Sequence, residues 1–271
     1  MHSEPAPTVI GNATLYCGDA LRVLAALPDE SVDCAMTDPP YSSGGMLRGD
    51  RIQDVHTKYV NSDSASGNLL TGFTGDNRDQ IGYWFWTALW LGELRRVLKP
   101  GAVVGLFTDW RQLPVTTSSL QAGGFVWRGI IPWHKPAARC QQGRFTNNCE
   151  YVVWGTNGPR ELEGSPLPGF YSCNAPRGED REHITQKPVE LMARLISVTP
   201  PGSVVIDPFM GSGTTGVACM DTGRLFVGIE QEQSHFATAC ERLDQTQRQV
   251  RLFDGATPLR PMQADLGWEA A

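Results

Sequence analysis

This chain of 271 residues is notable first for what it does not contain. No window approaches the roughly 20 consecutive apolar residues that a bilayer-spanning helix needs. Its first residues carry no basic stretch leading into an apolar run. A soluble, cytoplasmic protein with no membrane partner is expected. There is no C-x-x-C pair either: seven cysteines (Cys17, Cys34, Cys140, Cys149, Cys173, Cys219, Cys240) are scattered and odd in number. That pattern fits neither a zinc ribbon nor a disulfide framework, and reduced structural thiols are expected. His56, His134 and His235 share no helical or turn spacing, so no metal site is expected. Excess basic charge is missing too, and a formal net charge of −6 argues against a protein that coats nucleic acid. The total hides a local pattern. Between residues 111 and 160, Arg128, Lys135, Arg139 and Arg144 face a single acid, Glu150. That stretch is either a phosphate-facing surface or a solvated face.

What is present reads as one large domain over residues 1–271, because this length supports one sizeable core better than two. Short apolar runs alternate with helical patterns, the signature of a parallel sheet covered by helices. Strands are expected at residues 13–17, 32–36, 102–107, 129–133, 151–154, 203–206 and 225–229. Helices are expected near residues 20–24, 83–98, 188–198 and 214–221, with a polar one from Gln231 to Val250. There is no internal repeat. The expected fold class is a doubly wound, mostly parallel α/β sheet.

Residues 204–216 read VVIDPFMGSGTTG. Gly211, Gly213 and Gly216 fit the G-x-G-x-x-G spacing after an expected strand and at the start of a helix, with Glu230 about twenty residues on. Glycines there let a backbone approach an adenosine-containing cofactor, and Glu230 is placed to accept from ribose hydroxyls. A phosphate-cradling loop would need a lysine after the last glycine, and none is present. A nicotinamide-dependent oxidoreductase stays possible from this turn alone. Against it stands Asp207, whose carboxylate would repel a pyrophosphate and welcome a cation such as a sulfonium.

The other outstanding stretch is Thr37-Asp38-Pro39-Pro40-Tyr41, which leaves the run 32–36. If that run is a strand of the same sheet, the stretch sits in the crevice at the carboxyl ends of strands, where open α/β sheets bind ligands. Prolines hold Asp38 and the carbonyl of Pro39 at a fixed separation. Two such acceptors, aimed at the N–H bonds of an aromatic amine, would free its lone pair for attack on a methyl group. Tyr41 would offer a face on which a base turned out of a duplex could stack. An ordinary turn would use the same residues.

Taken together, these motifs resemble the amino methyltransferases of DNA, in the class where the catalytic motif precedes the cofactor motif. The resemblance covers residues from Leu15 to about Glu241, and it extends to His183-Ile184-Thr185-Gln186-Lys187-Pro188, where the family usually has proline at the position of Ile184. It implies a seven-stranded Rossmann-like methyltransferase sheet with a circularly permuted motif order and a small inserted recognition region. It implies S-adenosyl-L-methionine as cofactor and S-adenosylhomocysteine as product. The catalytic set carried over is Asp38, Pro39, Pro40 and Tyr41. The cofactor set is Asp19, Ala20, Asp38, Thr185, Gln186, Lys187, Pro188, Asp207, Pro208, Phe209, Gly211, Ser212, Gly213, Thr214, Thr215, Glu230 and Gln231, with Lys187 on the cofactor carboxylate. Asp19 could equally be a helix N-cap. The motif order favours DNA over ribosomal RNA as substrate. An acid at position 38 resembles the adenine-modifying members, cytosine N4 being the alternative. The implied setting is a bacterial or phage-encoded enzyme at the nucleoid.

Two regions are expected to meet double-stranded DNA. The long polar interval 42–80 carries Arg48, Arg51 and Lys58, and intervals of this length commonly serve as lids or binding loops. The second, 133–181, occupies the place of the family's recognition region and carries Lys135, Arg139, Arg144, Arg177 and Arg181. It is short, which together with the resemblance makes a homodimer expected. The aromatic cluster Tyr83-Trp84-Phe85-Trp86 with Trp90 reads as core packing in preference to a base-stacking platform. A catalytically silent DNA-binding module is the non-enzyme alternative.

Overall fold

The computed structural model describes residues 6–41, 78–138, 142–143, 145–161, 166–175 and 187–254. Its centre is a sheet of nine strands in the order β1-β2-β9-β8-β3-β4-β6-β5-β7. They are β1 (Thr8–Ile10), β2 (Ala13–Cys17), β3 (Val32–Thr37), β4 (Leu98–Thr108), β5 (Val126–His134), β6 (Cys149–Thr156), β7 (Tyr171–Ser172), β8 (Val204–Asp207) and β9 (Leu225–Glu230). The five strands β2, β9, β8, β3 and β4 run parallel to one another. Beyond β4 the sheet turns antiparallel through β6 and β5. The seven-stranded sheet expected from the sequence is therefore extended by two short edge strands, β1 and β7, of three and two residues. Such short pairings carry too little alternation to stand out in a sequence.

Among the described residues six helices cover the sheet: α1 (Ala20–Ala26), α2 (Gln80–Val97), α3 (Leu113–Ala122), α4 (Val189–Ile196), α5 (Thr214–Asp221) and α6 (Gln233–Asp254). Alternate residues of each strand feed two separate cores. On one face Cys34, Met36, Val103, Phe107 and Val205 pack with Leu191, Leu195, Ala218 and Leu243 of α4, α5 and α6. On the other, Ala35, Val104, Leu106, Ile206 and Val227 pack with Leu24, Trp90, Leu94 and Leu120 of α1, α2 and α3. Burial on both faces explains why the parallel strands read as continuous apolar runs.

The order of connection fixes where a ligand can sit. From β3 the chain goes to β4 on one side, and from β8 it goes to β9 on the other, although β3 and β8 are hydrogen-bonded neighbours. Their carboxyl ends open a crevice at the point where the winding reverses. Asp33 pins this pair from below: one oxygen accepts from the backbone N–H of Val204 at 2.8 Å and the other pairs with Lys99 at 2.7 Å.

Helix α2 is capped by Asp79, whose side chain accepts from the N–H of Gly82 at 2.7 Å. It ends at Val97, one residue short of the expected boundary, because Leu98 is drawn into the sheet opposite Val32. Helix α3 was not expected. Its polar Thr and Ser residues obscure the apolar period, yet Pro114 is tolerated in its first turn, and it buries Thr116, Ser119 and Leu120.

Candidate active site

Asp38 follows the last residue of β3 and Phe209 follows β8 by two, so the two motifs leave neighbouring strands on the same edge. They share one cavity of about 440 Å³, its open mouth included, lined by Asp38, Lys187, Asp207, Phe209, Gly211 and Thr215 among others. Pro39 and Tyr41 are buried and Pro40 is half-buried, so the turn after Asp38 is held by packing as well as by proline geometry. Tyr41 is 9% exposed, leaving little of its ring open to solvent.

Asp207 does not face the cavity as an open carboxylate. One oxygen accepts from Thr37 Oγ1 at 2.6 Å and from the N–H of Phe209 at 3.1 Å, and the other accepts from Thr215 Oγ1 at 2.5 Å. It stitches the end of β3 to the glycine hairpin. Burial pushes its carboxyl up to about 6, against the lowering effect of the two threonine hydroxyls and the Phe209 N–H.

The hairpin itself turns on two left-handed glycines, Gly211 at φ +53° and Gly213 at φ +81°. A Cβ on Gly211 would meet nothing within 4 Å, whereas one on Gly213 would come 3.1 Å from the Cβ of Ala239 in α6. The first glycine keeps a ligand-side space open, and the second permits helix packing. Glu230, at the end of β9, accepts from the N–H of Gly211 at 3.0 Å and from that of Glu232 at 2.8 Å. Burial raises its carboxyl above the usual range. Arg242 of α6 braces the same turn, donating to Ser212 O at 2.6 Å, Ser212 Oγ at 3.1 Å and Thr214 Oγ1 at 3.3 Å. The sequence shows α6 only as a polar helix, and nothing in it singles out this arginine. Phe209 packs on α2, tilted against Trp86 with ring centroids 5.3 Å apart and edge-on to Trp90 at 5.0 Å.

Lys187 lines the same cavity, beside the catalytic turn. Its ammonium is 2.6 Å from Asp38 Oδ2 and 3.4 Å from Glu150 Oε2. Glu150 in turn holds Lys135 at 2.7 Å. Burial alone would push Lys187 down and Glu150 up. The neighbouring opposite charges outweigh it, raising Lys187 above and lowering Glu150 below their ordinary values. Glu150 is the site residue the sequence concealed: it registered only as the single acid in a basic stretch. Lys135, expected to face a phosphate, is occupied by this pair.

The remaining expected residues divide as follows. Asp19 is the N-cap of α1, accepting from the N–H of Arg22 at 3.1 Å, and Ala20 is buried at the start of that helix. Cys17, just before them, pairs in register with Glu230, so this strand end adjoins the hairpin. Ser212, Thr214 and Thr215 are buried in the hairpin, and Gln231 is exposed beyond Glu230. Pro188 is the N-cap residue of α4, and Pro208 links Asp207 to Phe209. Thr185, Gln186, His183, Arg48, Arg51, Lys58, Arg139, Arg144, Arg177 and Arg181 lie outside the described residues, as does most of the interval 42–80. The expected recognition region 133–181 contains the end of β5, all of β6 and β7, so much of it belongs to the sheet. Of the aromatic cluster, Tyr83 and Trp90 are core as expected, whereas Phe85 is 59% exposed and Trp84 also points outward. Among the described residues, no helix is long and apolar enough to cross a membrane, and no group of three or more His, Cys, Asp or Glu could hold a metal.

With the geometry established, comparison with known proteins gives a consistent result. A family model described as DNA methylase matches residues 32–172 and 160–241. YubD of Escherichia coli (strain K12), a protein named as a methylase, is 30% identical over 240 residues, covering 86% of this chain and 91% of its own. The type II methyltransferase M2.LlaDCHI of Lactococcus lactis subsp. cremoris is 27% identical over 255 residues, covering 86% and 90%. Among solved structures, the complex of M1.HpyAVI with SAM superposes with a TM-score of 0.61 at 26% identity, covering 86% of this chain and 99% of that one. The cytosine-N4-specific PvuII DNA methyltransferase shares the fold at a TM-score of 0.65 and 18% identity, covering 94% and 96%.

Proposed function

Because this chain belongs to the DNA methylase family, we propose that it transfers a methyl group from S-adenosyl-L-methionine to the exocyclic N6 amine of adenine in double-stranded DNA, with the base turned out of the helix. The observation that carries the reading is the single cavity shared by Asp38 and the glycine hairpin.

The residues present suit the cofactor. Gly211 leaves open space on the ligand side, Glu230 stands at the end of β9 for ribose hydroxyls, and no phosphate-binding lysine follows the glycines. When bound, S-adenosyl-L-methionine supplies an electrophilic methyl carried on a positive sulfonium, and S-adenosylhomocysteine is what remains. The chain does the rest. Asp38 accepts a hydrogen bond from the amine, and the main-chain carbonyl of Pro39 takes the second N–H, which frees the nitrogen lone pair. Asp207 joins the catalytic turn to the glycine hairpin through Thr37 and Thr215, and so would hold the amine site and the cofactor site at a fixed separation. As the new C–N bond forms, the sulfonium C–S bond breaks, and the nitrogen releases one proton to Asp38 or to water. Tyr41 supports the base from the end of the catalytic turn. Lys187 sits between Asp38 and Glu150 and lines the same cavity, where the resemblance places it on the cofactor carboxylate.

The choice of adenine follows from the carboxylate at position 38, where cytosine-modifying relatives more often resemble a serine pattern. The intervals 42–80 and 133–181 are the proposed DNA-reading regions, and β5 ends and β6 begins on the same edge as Asp38. A homodimer is part of the proposal, and sedimentation showing only monomer at micromolar concentration would remove it. The central test incubates the protein with duplex DNA and methyl-labelled cofactor and digests the product to nucleosides. Label in N6-methyldeoxyadenosine is expected. Label in N4-methyldeoxycytidine would move the target to cytosine, and unlabelled DNA would overturn the reading.

A further inference from the structure

Four charged side chains stand in a row of alternating sign, Asp38, Lys187, Glu150 and Lys135, joined by contacts of 2.6, 3.4 and 2.7 Å. The row is built into the fold. Trp133 of β5 and Glu150 of β6 are register partners, and the backbone N–H of Lys135 bonds to the carbonyl of Asn148 at 2.7 Å, which closes the turn around the pair. Two aromatic rings floor it: Lys187 Nζ is 5.1 Å from the Phe107 centroid, Lys135 Nζ is 5.4 Å from that of Trp133, and those rings meet edge to face at 6.3 Å. The Lys187 side chain is 7% exposed and that of Glu150 is 19%, so water does little to screen their charges.

We infer that Glu150 is a positioning residue that acts through Lys187 on both halves of the reaction site. The ammonium is bonded to Asp38 at 2.6 Å, and Glu150 at 3.4 Å offsets part of its pull on the carboxylate that must face the amine. Glu150 also cancels the positive charge that Lys187 brings into the cavity lined by the glycine hairpin. Without that cancellation, Lys187 would repel a cationic sulfonium while leaving its neutral thioether product unaffected. The inference rests on the methyltransferase reading above. Glu150 has no role in chemistry at the reacting atoms.

A difference in charge between two nearly identical ligands tests it. Calorimetry would measure S-adenosylmethionine and S-adenosylhomocysteine binding to wild type, Glu150→Gln, Glu150→Asp and Lys135→Met. Glu150→Gln is expected to raise the ratio of the two dissociation constants, sulfonium over thioether, by about fivefold or more, for one charge lost at intermediate dielectric. Glu150→Asp should stay within about twofold of wild type, because it restores the charge. Lys135→Met removes a cation beside Glu150 and should move the ratio the other way, which keeps the test decisive if Glu150→Gln does not fold. In turnover, Glu150→Gln should lower kcat with KM for duplex DNA unchanged. Equal weakening of both ligands, or no change in the ratio for either Glu150→Gln or Lys135→Met, would overturn the inference while leaving the enzyme a methyltransferase. A wild-type protein that binds neither ligand would defeat the methyltransferase reading and this inference with it.

Discussion

Thr37 donates its hydroxyl to Asp207 across 2.6 Å, joining two residues 170 positions apart in sequence. With Thr215 on the other oxygen, this bond makes one buried carboxylate the clamp between the catalytic turn and the cofactor hairpin. An ionised Asp207 is costly in that place, which gives the clamp a pH signature. Its carboxyl rises from the ordinary value of about 3.9 to about 6, equivalent to about 3 kcal/mol. The folded state then binds a proton the unfolded chain has lost, so the contribution is fully present below about pH 4 and disappears as pH rises through about 6. Urea unfolding of wild type and Asp207→Asn from pH 4 to 8 should show the variant gaining on wild type by up to about 3 kcal/mol over that interval. Parallel curves would contradict the assignment.

The two hairpin glycines should fail differently. Gly213→Ala meets Ala239 and keeps a φ of +81°, so a stability loss of about 1–3 kcal/mol is expected in urea unfolding. Gly211→Ala sits at φ +53° in open space and should cost about 1 kcal/mol, but its methyl group occupies the ligand side. Cofactor titration should therefore show Gly211→Ala losing affinity out of proportion to its stability.

Lys187→Met removes the cation between two carboxylates. Asp38 and Glu150 would then lose the cation between them, Glu150 keeping only Lys135, and a loss of about 2–4 kcal/mol is expected at neutral pH. The loss should shrink as pH falls and the carboxylates take up protons. A loss independent of pH would show that packing, and not charge, is what Lys187 provides.

Arg242→Ala strips three donated contacts from the hairpin. Unfolding free energy should fall by about 1–2 kcal/mol, and cofactor affinity with it. Arg242→Lys, which retains the charge without the forked geometry, should recover only part of either.

Much of the fold was legible because burial on both faces writes itself into parallel strands, as in Val204–Asp207 and Leu225–Glu230. The same holds for the two turns of the site, where proline and glycine have few other uses. What escaped the sequence was long-range and polar. Glu150 reaches Lys187 only because β6 runs antiparallel to β4 and delivers its first residues to the catalytic edge. No local spacing encodes that. Helix α3 stayed hidden behind Thr116, Thr117, Ser118 and Ser119, three of which return hydroxyl bonds to carbonyls of their own first turn. Lys187 comes to the cofactor site from the resemblance and from charge pairing, neither of which says that Asp38 and Glu150 lie beside it. Asp207 looked like a partner for a cation, and proximity to Thr37 and Thr215 made it a brace.

The most direct measurement is single-turnover methyl transfer by Asp38→Asn beside wild type, with cofactor binding measured on the same preparations. Replacing the charged acceptor by an amide should slow transfer by about a hundredfold or more, in line with the loss of a positioned electrostatic contact, while S-adenosylhomocysteine affinity stays within a few-fold. Transfer at the wild-type rate would contradict the account, since the amine would then be activated by something other than the carboxylate at the end of β3.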